Sequence, residues 1–466
     1  MKLELKQMLL PKRLQAERFV TRRDEFKERV KDMLKNEEMK ELEKMEMIDE
    51  LQRLGCSYHF EDEIKAALMD IYMKNSNTYK SSSEEKDLYA TALQFRLLRQ
   101  NGYNISQDVF DVFMDGERSS FKANLCEDTK GLLNLYEASF LSMEGETTLK
   151  LAKDFSTKHM KYVAHDQNLG DQNLLASVQH ALELPLHWRM PRLEAKCFID
   201  SYKVKTTWNP ILLEFAKLDF NLVQAVHQED LKFVSRWDDV SETGHLPEYM
   251  KFCYVALHNF VNEVASDVLK EHNIFIVPYL RKAWGDLCKA YLQEAKWYHS
   301  GYTPTFEEYI ETAWISISCP LTLVHAFFYF NNPVEDAAAL HCLTQYHQII
   351  RLSSIILRLA NDKATSPNEM KRGDVPKAIQ CYMNEGRVSS NTEARDFINF
   401  QISETWKKMN KFRIEGSPFS EKFIEVAMNI ARMAQCMYQH GDGHGIKNLE
   451  TQTRIQTLLF EPIPLI

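Results

Sequence analysis

The densest grouping of chemistry-bearing side chains in this 466-residue chain lies between Arg358 and Glu369. Asn361, Thr365 and Glu369 recur every four positions, a spacing that sets side chains on one face of an α-helix. An amide oxygen, a hydroxyl and a carboxylate in that order make a hard donor set for a divalent cation such as Mg2+. Arg358, three residues before Asn361, places a guanidinium where it would grip a phosphate carried by that cation. By spacing alone the same residues also read as the polar end of a surface helix, and short motifs recur by accident.

The elements that must position these groups are helical. The apolar run Ile349 to Leu359 leads into the motif, and Pro367 predicts that the helix ends near Thr365 with Glu369 folding back. Tyr309 to Phe330 reads as a long apolar helix broken at Ser318-Cys319-Pro320, where proline removes a hydrogen bond and frees a carbonyl. On it, Trp314 with Phe327 or Phe328 offers aromatic faces that stabilise a cation, although ordinary core packing is the commoner fate of such residues. Tyr438 to Gly445 is a polar, glycine-rich loop or a plain surface turn. His440 and His444 have zinc-like spacing, but no partner ligands converge near them in sequence.

The rest of the chain follows the same period. Arg18 to Lys35 and Glu38 to Leu54 are amphipathic helices, the second closed by Gly55. Ser57-Tyr-His-Phe opens the next helix, with Glu61, Asp62 and Glu63 at its positive end. Ser82 with Glu85 makes a capping box for the helix through Arg99, and Ser106 caps another that stops at Gly116. Leu132 to Leu141, Leu174 to Leu184 and Asn209 to Arg236 continue the pattern, with no strand alternation and no fixed repeat.

Composition agrees. Glycine (15) and proline (14) are scarce, and the net charge of −9 with no basic patch argues against nucleic acid. No run approaches the roughly 18 apolar residues of a membrane span. The nine cysteines are scattered without a Cys-x-x-Cys pair and read as buried thiols in a reducing compartment.

The Arg358–Glu369 segment resembles the second metal motif of plant terpene synthases, (Asn/Asp)-Asp-x-x-(Ser/Thr)-x-x-x-Glu, flanked by Leu352-Ser-Ser-Ile-Ile-Leu-Arg-Leu-Ala and Lys371-Arg-Gly-Asp-Val-Pro. The resemblance runs from about Thr21 to the C-terminus through Ser57-Tyr-His-Phe-Glu-Asp-Glu-Ile, Leu141-Ser-Met-Glu-Gly-Glu, Pro191-Arg-Leu-Glu-Ala and Gly441-Asp-Gly-His-Gly, and it is nearest the angiosperm monoterpene branch. It implies an all-α chain: a relic, non-catalytic α-barrel-like domain over 1–195, then a class I helical bundle over 196–466. It further implies Mg2+ or Mn2+ on Asn361, Thr365 and Glu369, the diphosphate of a prenyl substrate on Arg358, and Asp442 facing the pocket from a closing loop. The expected reaction is loss of diphosphate from geranyl diphosphate to give a monoterpene, catalysed by a monomer. The N-terminal half lacks Asp-x-Asp-Asp, so no protonation-initiated chemistry is expected there.

Two departures from the family stand out. Met1 to Leu14 is short and serine-poor for a plastid transit peptide, and Arg22-Arg23 has no tryptophan behind it. Plastid location is therefore implied by resemblance, and cytoplasmic location if this start is genuine. Second, Trp237 runs straight into His245-Leu-Pro-Glu-Tyr-Met, where family members first pass an Arg-Asp-Arg motif and a helix with Asp-Asp-x-x-Asp. Roughly 70 residues, some four to six average helices, are missing near 237/238. Asp238-Asp239-Val-Ser-Glu242 imitates the lost motif but sits beside Gly244 and Pro247 in a polar stretch, the setting of a solvated turn. Two readings stay open: an impaired Mg2+-dependent lyase, or a catalytically inactive helical protein, either a non-functional product or a scaffold that still takes up diphosphate weakly.

Overall fold

Few helix breakers and many amphipathic runs give a chain that is helical almost throughout. The computed structural model describes residues 13–78, 87–165, 171–203, 208–234, 248–330, 337–372, 375–442 and 449–465. Side chains within them are described except at 13–18, 75–78, 229–234, 248–252, 254, 330, 337 and 367–372. In chain order the first helices are α1 (Arg13–Leu34), α2 (Glu41–Arg53), α3 (Glu61–Thr78), α4 (Leu88–Gln100), α5 (Thr129–Ser139), α6 (Thr147–His165), α7 (Gln172–Glu183), α8 (Pro191–Tyr202) and α9 (Pro210–Val234). Then come α10 (Glu248–His272), α11 (Val277–Ser300), α12 (Phe306–Ser316), α13 (Cys319–Phe330), α14 (Ala337–Thr344), α15 (Gln348–Arg372), α16 (Ala378–Asn384), α17 (Asn391–Ile414), α18 (Glu421–Met437) and α19 (Leu449–Leu459). The described residues hold no strand, only an isolated bridge between Met114 and Phe121.

The chain forms two compact units, Met1–Val234 with Leu449–Ile466, and Ser235–Asn448. As a division of compactness this falls at 234/235 rather than at 195/196. The cause is α9, whose Leu212, Phe215 and Phe220 join the first unit's core while α1 and α19 pack against it.

In the first unit, Ser57-Tyr-His-Phe is a short 3-10 turn (Ser57–His59) leading into α3. Its polar groups have a structural job. Tyr58 donates to the buried Asp219 carboxylate at 2.7 Å, and His59 Nε2 meets the same group at 2.7 Å. Gly55 ends α2 at φ +73°, and a Cβ there would meet the Ala195 Cβ at 2.7 Å, so glycine is required twice over. Ser82 and Glu85 lie outside the described residues. The cap on α4 is instead Asp87, which accepts from Ala90 N at 3.0 Å. Ser106 caps as expected, but what it opens is a 3-10 helix, Gln107–Phe113.

The second unit is built around α15, which packs against α12, α13, α16, α17 and α18. The predicted break between α12 and α13 is present: Ser318 turns at φ +65°, and Pro320 sits in the first turn of the new helix, where its missing N–H costs nothing. Phe306–Tyr329 is the one stretch among the described residues with the length and apolarity to cross a membrane, and it is these two helices, mostly buried in the unit. The cysteines are all free, but the expectation that they are buried holds for only four; Cys197, Cys253 and Cys288 are exposed. A thiol is small enough to sit at either kind of position, so helical spacing alone does not sort them.

Candidate metal centre

The face of α15 that meets its neighbours carries Ile349, Ile356 and Leu359, then the polar residues Asp362 and Thr365. Serines lock the helix in place: Ser353 Oγ donates to Ala427 O on α18 at 2.6 Å, and Ser354 Oγ donates to Ile350 O at 2.7 Å.

The helix does not end near Thr365. It continues through Pro367 to Arg372, so the backbone keeps Asn361, Thr365 and Glu369 at successive turns of one unbroken helix. The physical reason lies on α17. Proline at 367 cannot donate to the carbonyl of Lys363, and Arg395 Nη1 supplies that hydrogen bond at 3.0 Å. The Glu369 side chain lies outside the described ones, as do Asp238, Asp239 and His444.

Arg358 is the hub, with 6% of its surface exposed. It pairs with Asp362 at 2.5 Å and donates from Nη2 to Asn361 Oδ1. Asp362, fully buried, also accepts from Tyr309 on α12 at 2.7 Å and from the Ala378 backbone N–H of α16 at 3.2 Å. Burial works against the Arg358 charge, and the carboxylates of Asp362 and of Glu294 on α11 overcome it, so its pKa is raised. Glu294 in turn accepts from Ser316 Oγ at the end of α12, tying the helix break to the same charge cluster.

Asn361 reaches a second partner, the Tyr438 hydroxyl at the end of α18. Burial raises the Tyr438 pKa; the hydrogen bond from Asn361 opposes that, and the negative charge of Asp442 adds to it. Asp442, the loop residue picked out in the sequence, thus acts on the same Tyr438 hydroxyl that Asn361 meets. His440 is exposed, and among the described residues no group of three His, Cys, Asp or Glu side chains is placed to hold a metal.

The aromatic candidates turn out to be core. Phe327 and Phe328 are fully buried, and Phe327 packs edge-on to Phe423 at 5.4 Å. Trp314 meets Tyr346 edge-on at 5.7 Å, with Arg351 over its ring.

The donor chemistry fits a hard divalent cation with an anion beside it. Thr365 Oγ1 donates to Asn361 O at 3.1 Å, and a hydroxyl that gives its proton to a carbonyl keeps lone pairs on oxygen, the form a hard cation takes. Arg358 Nε, buried, has no hydrogen-bond partner among the described residues. A buried unpaired donor on a cation is costly unless a ligand meets it, and a diphosphate oxygen would. Sequence reasoning passed over Asp362, Tyr309, Glu294 and Tyr438. Asp362 alone left a signal: it follows Leu359 by three on the buried stripe, where a carboxylate demands a partner.

Comparison with known proteins matches residues 230–408 to the terpene synthase family, metal binding domain, and residues 1–182 to the terpene synthase, N-terminal domain. A chloroplastic myrcene synthase of Quercus ilex is 50% identical over 513 aligned positions, covering 94% of this chain and 84% of its own. A (-)-alpha-terpineol synthase of Vitis vinifera is 50% identical over 523, covering 96% and 87%. Among solved structures, limonene synthase with 2-fluorolinalyl diphosphate superposes with TM-score 0.90 at 37% identity, over 96% of this chain and 95% of that one. Isoprene synthase from grey poplar, in complex with three Mg2+ ions and dimethylallyl-S-thiolodiphosphate, gives 0.88 at 36%, over 96% and 98%.

Proposed function

The chain belongs to the terpene synthase family, and from that premise we propose that it binds a prenyl diphosphate, geranyl diphosphate by the kinship of its monoterpene-forming relatives, and ionises it far more slowly than an intact member. The observation that carries this reading is the hub on α15: a buried arginine with an unmatched donor, one helical turn from an oxygen-rich arm. Asn361, Thr365 and Glu369 would hold Mg2+ or Mn2+, and the metal when bound supplies electrophilic stabilisation of the departing diphosphate. Arg358 binds and orients the same anion, Tyr438 fixes the Asn361 amide, and Asp442 adds negative charge beside the Tyr438 hydroxyl.

The slow ionisation follows from what the sequence lacks. Departing diphosphate needs positive charge on several sides, and removing even one preorganised donor typically costs about 3–4 kcal/mol. Both alignments to the relatives run over more positions than the 466 residues this chain has, which supports an absent internal segment; the Asp-Asp-x-x-Asp and Arg-Asp-Arg motifs are the pieces assigned to it. A missing wall also admits water, which quenches carbocations. The runner-up reading, an inactive diphosphate-binding helical protein, shares the site and differs only in turnover. Plastid location is supported by relatives named chloroplastic.

Equilibrium dialysis with labelled geranyl diphosphate, with and without Mg2+, tests the binding. Metal-dependent retention that Glu369→Ala removes is the expected result. Retention indifferent to Mg2+ and to Glu369→Ala contradicts it.

A further inference from the structure

Asp362 lies inside the metal motif and is engaged by the protein itself. Its surface is fully covered, and its partners come from three helices: Tyr309 Oη on α12 at 2.7 Å, the Ala378 N–H at the start of α16 at 3.2 Å, and Arg358 on its own helix at 2.5 Å. Both hydrogen bonds fall on Oδ2, while Oδ1, which accepts no hydrogen bond among the described residues, faces Arg358 Nη2 at 2.5 Å. This arrangement gives Asp362 leverage. Tyr309 holds Asp362, Asp362 holds Arg358, and Arg358 Nη2 holds Asn361 Oδ1, an oxygen of the cation arm. Tyr309 is fully buried and its hydroxyl points into this relay.

We infer that Tyr309 and Asp362 are positioning residues for the cation–diphosphate site, which aim Arg358 at the anion and, through it, hold the Asn361 oxygen ready for the metal. The inference rests on the proposed function, since it names what fixes that site. The logic is that of preorganisation. An arginine on a long, rotamer-rich stem recognises an anion well only when its fork is already oriented. The ion pair with Asp362 fixes one edge of the fork, and the Tyr309 hydrogen bond stops Asp362 from rotating. Arg358 Nε stays unmatched for a ligand. Tyr309 therefore acts on the ligand at two removes and touches neither cation nor anion.

Tyr309→Phe is the clean variant, because it deletes one oxygen and leaves Asp362 its hydrogen bond from Ala378 N–H and its ion pair with Arg358. The measurement is titration calorimetry of the full chain with Mn2+ plus inorganic pyrophosphate, on the unsubstituted protein, Tyr309→Phe, Arg358→Gln and the double variant. Tyr309→Phe should weaken binding about tenfold, the scale of one hydrogen bond to a charged group. That loss should vanish in the Arg358→Gln background, because residues acting as a unit are not additive. A merely structural Tyr309 would lower the unfolding temperature while leaving affinity within about twofold, and that result overturns the inference. So do two losses that simply add. If the unsubstituted chain takes up neither ligand, the proposed function itself fails and this inference falls with it; if it binds normally and Tyr309→Phe does too, only the inference falls.

Discussion

Arg358 carries a full charge with 6% of its surface exposed, and Asp362 beside it has none. Two such groups persist in an interior only as partners, and breaking a buried pair by deleting one member costs about 3–5 kcal/mol because the other is stranded. Arg358→Met is therefore expected to lower the free energy of unfolding by about that amount in urea denaturation. A loss under about 1 kcal/mol would show that Asp362 finds another partner and that the pair is not the hub described. At this scale the sequence was half legible. The four-residue rhythm of Asn361, Thr365 and Glu369 marks a shared helix face whatever surrounds it. Tyr309 left no mark, because its partner lies 53 positions away and only the folded chain brings them together.

Among elements, α15 departs most instructively from local rules. Proline inside a helix normally ends it, and the sequence around Pro367 offers nothing to say otherwise. The helix survives because α17 brings Arg395 to the stranded Lys363 carbonyl, a donor supplied from 32 residues away. The break at Ser318-Cys319-Pro320 was readable, since there the proline starts a helix and the rule is local. The α17–α18 pairing also carries a pH signature. Burial alone would raise the Glu425 carboxyl, but Arg432 at its side and Arg413 from α17 hold it at about 2, against an ordinary 4.5. A carboxyl with a depressed folded-state pKa contributes stability above its unfolded value, and that contribution is lost as pH falls toward the folded value. The unfolding temperature of the unsubstituted chain should thus exceed that of Glu425→Gln at neutral pH, with the gap closing between about pH 4.5 and 2. A gap that stays constant through that window would contradict the assignment.

At the scale of the whole molecule, fold class and family could be read from the sequence, while the division into compact units could not. Helical period and spaced motifs are local facts, but the membership of α9 in the first unit is decided by which core Phe215 and Phe220 enter. The internal segment proposed to be absent near 237/238 rests on a different kind of reading: a family motif is conspicuous when its neighbour in sequence is not found. The proposed loss bears on chemistry because charge stabilisation of a departing diphosphate comes from walls facing one another. The central claim is that one cation arm survives and most ionising power is gone. Diphosphate release from geranyl diphosphate under Mg2+, timed at saturating substrate beside a full-length monoterpene synthase, tests it directly. The account expects saturable, Thr365-dependent release at least about 100-fold slower than the relative. Release at the relative's rate, or none of it altered by Thr365→Val, would contradict it.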